Sequence, residues 1–438
     1  MVTNKLLKNE RVLLCWLFLI ALGIRLFIGI ILFNPPVRAD AHSYEEMALS
    51  ILSGRGLQID MHPTSIYMPL YPVFLAAIYF VVGHNYLSVV VTQAILSAFM
   101  CIIIYFLAKR LFNKTIALLA GILLCFDLGF IFIPRHFLSE TLYSFLLLIS
   151  MLFLVRFIQT YKTRDILFAG LFLTLTTLTR SLIFLFPFFI SVYLAKVLSR
   201  KFGVKPALKK ISLFILIFLL PLGIWVIRNY RVHHAFVPLT TLTGESLYAC
   251  YKPEQGKIFG KFVYDDVCAA GRKIDSEVQR NKYFLDAALQ YIRTNYNKIP
   301  KLVLLKSMYF FSLFDWEVIN YGVYNFSFAF ILPFMIVGFF VPLIKKYNHG
   351  IAIIYLGLLY NLIILLICYA SPRLRLPLEP YLILFAAGGI YFLWQRNKNK
   401  FMFISVIFIF LIANYLAYIF SSQAKGLLRT VFQICGLW

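Results

Sequence analysis

Residues 12–33, VLLCWLFLIALGIRLFIGIILF, followed at once by residues 34–52, NPPVRADAHSYEEMALSIL, decide the fold class. The first stretch is long enough to cross the hydrocarbon core of a bilayer, which takes about 20 apolar residues in a helix. It is too long for a signal-peptide core and no small-residue cleavage site follows, so it is expected to remain as a first membrane span. The second stretch opens on two prolines and Arg38. It then places Tyr44, Met47, Ala48, Ile51 and Leu52 on one helical face and Glu45 and Glu46 on the other. Asp40 falls at or just before the start of that helix, at the membrane surface.

Outward from this pair the same alternation repeats. The chain has 438 residues, 61% hydrophobic and 14% charged, more apolar surface than one soluble core can hide. Lys and Arg gather in the connections: Lys5, Lys8 and Arg11; Lys109, Arg110 and Lys114; Arg156, Lys162 and Arg164; Arg200, Lys201, Lys205, Lys209 and Lys210; Lys345 and Lys346; Arg396, Lys398 and Lys400. Such clusters mark the cytoplasmic side, so the net charge of +24 reports topology and anionic headgroups and not nucleic acid. There is no zinc spacing of paired Cys or His, no Walker loop and no GxGxxG, and nucleotide-driven chemistry has no support.

Between successive basic clusters the chain must go out and return, an even number of crossings. Three apolar runs lie between Arg11 and Lys109. The shortest, Tyr67 to Val82, begins with Pro69, Tyr71 and Pro72 and is assigned to a juxtamembrane helix. The same count removes Ile299 to Phe314, which carries Lys301 and Lys306.

About eleven spans remain by length: near 12–33, 86–108, 115–133, 138–158, 165–180, 182–199, 211–228, 324–344, 350–369, 376–394 and 400–420. The expected fold is an all-α polytopic membrane protein, N-terminus cytoplasmic and C-terminal tail outside. It divides into residues 1–228, a seven-span module with the first outer loop 34–82; residues 229–323, an extracytoplasmic loop domain; and residues 324–438, C-terminal transmembrane helices and tail.

That loop domain is too long to be a mere connector. Ser276 to Asn297 has amphipathic spacing and is expected to pack on the membrane module. Cys250 and Cys268 both fall in the domain, and in an oxidising compartment they are candidates for a disulfide. Cys15, Cys101, Cys125 and Cys368 lie in apolar runs and read as small buried hydrophobes.

With only 18 acidic residues in the chain, each carboxylate near the outer surface carries weight. Asp40 fits a plain helix cap, and equally a general base at the interface. Glu140 follows Pro134-Arg135-His136-Phe137-Leu138-Ser139 at the mouth of the fourth span, beside Arg135 and His136. It fits either an ion pair with that arginine or a second catalytic acid. Asp127, inside the third span, fits a functional site or a structural hydrogen bond. Arg180, Arg228, Arg231, Arg373 and Arg375 stand at outer ends of spans against the usual charge bias. One alone could snorkel to lipid headgroups, but several converging forks would hold a phosphate and stabilise it as a leaving group.

The ordered set Asp40, Tyr44, Ala48, Gly54, Gly56, Pro69, Tyr71, Pro72 and Gly83 resembles the first outer loop of GT-C fold glycosyltransferases. Within that fold the likeness is to the protein O-mannosyltransferase-like group, which includes the lipid A aminoarabinose transferases. Ser139-Glu140, Leu178-Thr179-Arg180, Arg228-Asn229-Tyr230, Gly244-Glu245-Ser246-Leu247-Tyr248 and Arg373-Leu374-Arg375-Leu376-Pro377 follow in the order of that family. The resemblance implies that Asp40 and Glu140 are the catalytic acids. It places Arg228, Arg373 and Arg375 near the lipid-phosphate site, and Tyr44, Arg135, His136, Arg180 and Glu245 complete the candidate substrate-binding set. No cofactor follows from the residues, and the resemblance leaves room for a divalent metal, although the chain reads Asp40-Ala41 where many relatives carry Asp-Glu.

The implied activity is inverting transfer of a sugar from a polyprenyl-phosphate donor to a lipid, glycan or protein acceptor outside the cytoplasm. A transporter or flippase of a lipid-linked glycan is the rival; it would show two related halves with broken spans and midplane charges. Richness in Lys, Asn, Ile and Phe suits an AT-biased bacterium, hence the inner membrane.

Overall fold

The structure, a computed structural model, describes residues 10–33, 39–251, 265–315, 323–344, 348–368 and 371–419. The basic residues Lys5, Lys8, Lys345 and Lys346, Arg38 with its two prolines, and the tail from 420 lie outside the described residues. The described residues are almost wholly helical. In order come α1 (Glu10–Ile31), α2 (Ala39–Leu52), the two-residue strands β1 (Gln58–Ile59) and β2 (His62–Pro63), α3 (Leu70–Val82), α4 (Tyr86–Leu111), α5 (Lys114–Cys125), α6 (Leu128–Phe132), α7 (Glu140–Thr160), α8 (Thr163–Thr179), α9 (Phe186–Phe202) and α10 (Val204–His233). Then follow α11 (Thr243–Tyr251), α12 (Asp266–Gly271), α13 (Glu277–Thr294), α14 (Ile299–Phe310), strands β3 (Phe314–Asp315) and β4 (Val323–Tyr324), α15 (Phe326–Ile344), α16 (His349–Ile367), α17 (Pro372–Arg375), α18 (Glu379–Arg396) and α19 (Lys400–Ile419).

A helix stands at each of the eleven expected spans. Seven are long and apolar enough to cross a membrane by themselves, and an eighth counts if the bent pair α5–α6 is one span. The number eleven therefore rests on α8, α15 and α19, which fall short of that criterion among the described residues. The runs set aside by parity, α3 with 13 residues and α14 with 12, are too short to cross.

The bend between α5 and α6 is 52° and has a chemical cause at each side of the break. Asp127 caps α6, its Oδ1 accepting from the Phe130 backbone at 3.1 Å, while Ser327 donates to its Oδ2 at 3.2 Å. The last carbonyls of α5 face Arg25, fully buried on α1. Its Nη2 donates to Leu124 O (3.1 Å), its Nη1 to Cys125 O (3.2 Å) and its Nε to Ser97 Oγ (2.7 Å). A cation here meets the negative end of the helix dipole and satisfies carbonyls that lipid could not.

α15 and α18 cross at their glycines. A Cβ on Gly338 would run into the Phe385 carbonyl, and one on Gly389 into the Phe334 carbonyl, so the two backbones touch as small-residue pairs do in membranes. Gly389→Ala is expected to force the pair apart and cost about 1–3 kcal/mol, read as a lower melting temperature in detergent with Gly23→Ala, which meets nothing, as control.

α11, α12 and α13 form a small unit with its own apolar cluster of Tyr248, Cys268, Phe284 and Ala288. α13 is the amphipathic helix expected at 276–297, started by Ser276, whose Oγ accepts from Gln279 N at 3.4 Å. The expected disulfide is corrected here: Cys250 and Cys268 are free thiols. They sit in different clusters, Cys268 against Phe284 and Cys250 with Tyr251 and Leu302, so the two sulfurs serve separate packing contacts.

Candidate active site

The first loop folds on tyrosines. Tyr44, Met47 and Ala48 are buried on α2, and the Tyr44 ring lies 4.7 Å from that of Tyr67 and 4.8 Å from that of Tyr71. Glu45, expected on the polar face, is also buried, because His84 Nε2 reaches its Oε1 at 2.8 Å. This packing fixes the start of α2, where Asp40 is the second residue. Tyr67 donates its hydroxyl to Asp40 Oδ1 at 3.0 Å. Burial and the Asp40 charge push the Tyr67 phenol up, and burial, with Asp40 next, pushes Tyr44 up to about 12. Both phenols therefore stay protonated, as donors, near neutral pH.

Three further charges meet Asp40 from distant parts of the chain. Glu140 opens α7, 1% exposed, with its charge at the favourable end of that helix. Its Oε1 accepts from Arg373 Nε at 2.5 Å and from Arg180 Nη1. Arg180 caps the end of α8 in extended backbone, and Arg373 lies on the short α17, which Ser371 starts by accepting from Leu374 N. Arg373 Nη2 also donates to Asp40 Oδ2 at 3.3 Å. The result is a row, Asp40–Arg373–Glu140–Arg180, with two carboxylates balancing two guanidiniums. Glu140 is tolerated in its buried place because both neighbours are cations.

Arg180 also borders a cavity lined by Tyr143, Leu182, Asn361, Leu365 and Leu374. The Tyr143 hydroxyl is buried there without a hydrogen-bond partner among the described residues.

Other expected site residues are elsewhere. Arg228 donates to Thr64 O (2.7 Å), Ser65 Oγ (2.9 Å) and Leu57 O (3.1 Å), bracing the first loop against α10. Arg375, 1% exposed, donates to Glu379 Oε1 (2.9 Å) and to the carbonyls of Phe310 (2.8 Å) and Ser312 (2.9 Å). Both guanidiniums are thus engaged with protein oxygens, as those of Arg180 and Arg373 are with Glu140 and Asp40. Arg135 stacks on Phe132 and reaches His136 Nε2 (3.2 Å) and Leu32 O (3.4 Å), so it does not pair with Glu140. Glu245 lies in the α11–α13 unit near Arg280 and Arg272, its pKa raised by burial. Arg231 is exposed. Tyr67 went unnoticed in the sequence, where a tyrosine ahead of a proline carries no sign of its partner.

Residues 61–225 match the model of a family described as dolichyl-phosphate-mannose-protein mannosyltransferase. No curated protein matches the chain in sequence. Among solved structures, the oligosaccharyltransferase of Archaeoglobus fulgidus in complex with Zn and sulfate is similar, at 12% identity and TM-score 0.54, covering 92% of this chain and 52% of that one. The same organism's AglB with an inhibitory peptide and a dolichol-phosphate gives 12%, 0.53, 95% and 56%. This is the GT-C fold. ArnT from Cupriavidus metallidurans bound to undecaprenyl phosphate is similar at a lower TM-score of 0.42, with 11% identity, 86% of this chain and 77% of that one.

The chain spans about half the length of the archaeal structures it matches. Within this GT-C fold the family match begins after Asp40 and ends before Arg228, so it includes Glu140 and Arg180 but neither Asp40 nor Arg373. Zinc accompanies one archaeal relative, yet among the described residues no group of three His, Cys, Asp or Glu side chains could hold a metal here. Arg180 and Arg373 both sit on Glu140 Oε1, while its Oε2 is buried without a hydrogen-bond partner among the described residues. The residues do not fit a metal, and no step is routed through it.

Proposed function

We propose that the chain is an inverting glycosyltransferase of the extracytoplasmic side of a bacterial inner membrane, taking its sugar from a polyprenyl-phosphate donor. What carries the reading is the row Asp40–Arg373–Glu140–Arg180, two guanidiniums set beside a carboxylate that is 38% exposed. The donor phosphate binds at Arg180 and Arg373, which already meet at Glu140 Oε1. Asp40 accepts a proton from an acceptor hydroxyl or amine, on a lipid, glycan or protein. The acceptor oxygen or nitrogen attacks the anomeric carbon, the bond from that carbon to the phosphate oxygen breaks, and its electron pair stays on a phosphate held by the arginines. One displacement inverts the anomeric centre.

Glu140, shared by both arginines, acts as a positioning residue in this scheme. Arg373 gives the sequence of events: it holds Asp40 Oδ2 until the donor phosphate competes for it, so the donor binds first and its arrival frees the base. Nucleic acid has no part.

The full chain in vesicles, given an acceptor pool and a defined polyprenyl-phosphate sugar, is expected to transfer the sugar only when that lipid is present. Movement of the lipid-linked sugar across the bilayer without transfer would sink the proposal in favour of a flippase.

A further inference from the structure

α14 carries apolar side chains on both its inner and its outer face. Its buried positions are Leu302, Lys306 and Phe310, one i, i+4 ridge, while Leu304 (52% exposed), Met308 (38%) and, just past its end, Phe311 (37%) face outward. A helix on an aqueous surface turns polar residues outward instead. Lys306 accounts for the inner face: its Nζ donates to Leu366 O (3.2 Å) and Ile367 O (3.4 Å), the last carbonyls of α16, and lies 4.0 Å from the centre of the Tyr251 ring. This contact fixes the depth of α14, level with the end of a helix apolar enough to cross a membrane.

Along that helix Leu359, Ile363 and Ile367 form an exposed row, each close to half exposed, which such a span gives to lipid. The outward face of α14 presents the same kind of apolar surface. Immediately before α14 the chain brings Arg293, Tyr296, Lys298 and, at its first turn, Lys301 to the surface, Tyr296 being 76% exposed. Aromatic and basic residues beside an apolar face match the headgroup layer of a bilayer.

We infer that α14 lies in the leaflet on the same side as the Asp40 row, with Leu304, Met308 and Phe311 among the acyl chains and Arg293, Lys298 and Lys301 on the phosphates of anionic phospholipids. The α11–α13 unit is thereby seated on the membrane surface, and Lys306 couples that seat to the end of α16, a few residues before Arg373. The inference needs the membrane fold and not the proposed reaction, so sugar transfer is no part of its test.

The full chain is reconstituted in phosphatidylcholine vesicles with or without phosphatidylglycerol, each containing a phospholipid with a photoreactive diazirine in its acyl chain. After illumination, adducts are mapped by mass spectrometry. Adducts are expected within residues 304–311 and on the exposed apolar positions of α19, which serve as the internal control. The triple variant Arg293→Glu, Lys298→Glu, Lys301→Glu is expected to lose labelling of 304–311 several-fold in the phosphatidylglycerol vesicles, with α19 unchanged. Labelled α19 beside unlabelled 304–311 overturns the placement, and a cross-link from 304–311 to a second copy would hand the face to protein. Labelling indifferent to the charge reversal overturns the headgroup contacts.

Discussion

Replacing Asp40 by Asn is expected to lower sugar transfer by about 10²- to 10⁴-fold while leaving binding of the lipid-phosphate donor intact. Asparagine keeps the shape, and its Oδ1 still accepts the Tyr67 hydroxyl held at 3.0 Å, so the loop should fold as before. What disappears is the lone pair that takes a proton and the charge that holds Arg373 Nη2 at 3.3 Å. The phosphate would no longer compete with a carboxylate for that guanidinium, and donor affinity should stay level or rise. Titration with an undecaprenyl-phosphate sugar, together with single-turnover transfer, separates the two effects. Unchanged turnover would remove Asp40 from the mechanism.

The second large effect belongs to Glu140→Ala. The carboxylate is 1% exposed and Arg180 and Arg373 both lean on it, so its removal leaves two half-buried cations side by side with nothing between them. Breaking such a pair costs about 3–5 kcal/mol. The variant is expected to melt well below the parent in detergent and to transfer little sugar. Glu140→Gln keeps an acceptor oxygen and should recover part of the stability but little of the activity, since the arginines lose the charge that spaces them. A Glu140→Ala protein as stable as the parent would mean that the arginines have other partners strong enough to hold them.

The helices were legible because their lengths are set by the bilayer and not by subtle packing. Runs of about 20 apolar residues between basic turns can be read without a partner in view. Parity then singled out α3 and α14 as too many to cross, and both are short helices. The charge row was legible for a related reason: carboxylates are scarce, so Asp40 and Glu140 stood out, and arginines at the wrong ends of spans drew attention to Arg180 and Arg373.

The same argument could not sort the arginines further. Sequence position puts Arg228 and Arg375 at the same ends of their helices, and only the fold reveals that Thr64, Leu57, Phe310 and Ser312 carbonyls lie within their reach. Glu45 was misjudged on helical periodicity, which knows nothing of His84 on the far side of α3. Cys250 and Cys268 share a compartment in the sequence but not a neighbourhood in space.

Arg25 bears on how the chain enters the membrane. A guanidinium in the middle of a hydrocarbon-crossing helix is disfavoured by about 2.5–3.5 kcal/mol when that helix is alone. Its acceptors are Ser97, 72 residues later, and Cys125, 100 residues later. The first helix therefore gains these hydrogen bonds only once the chain has been made past Cys125. A truncation past Cys125, which supplies all of these acceptors, is expected to hold the first helix more firmly than one ending before Ser97.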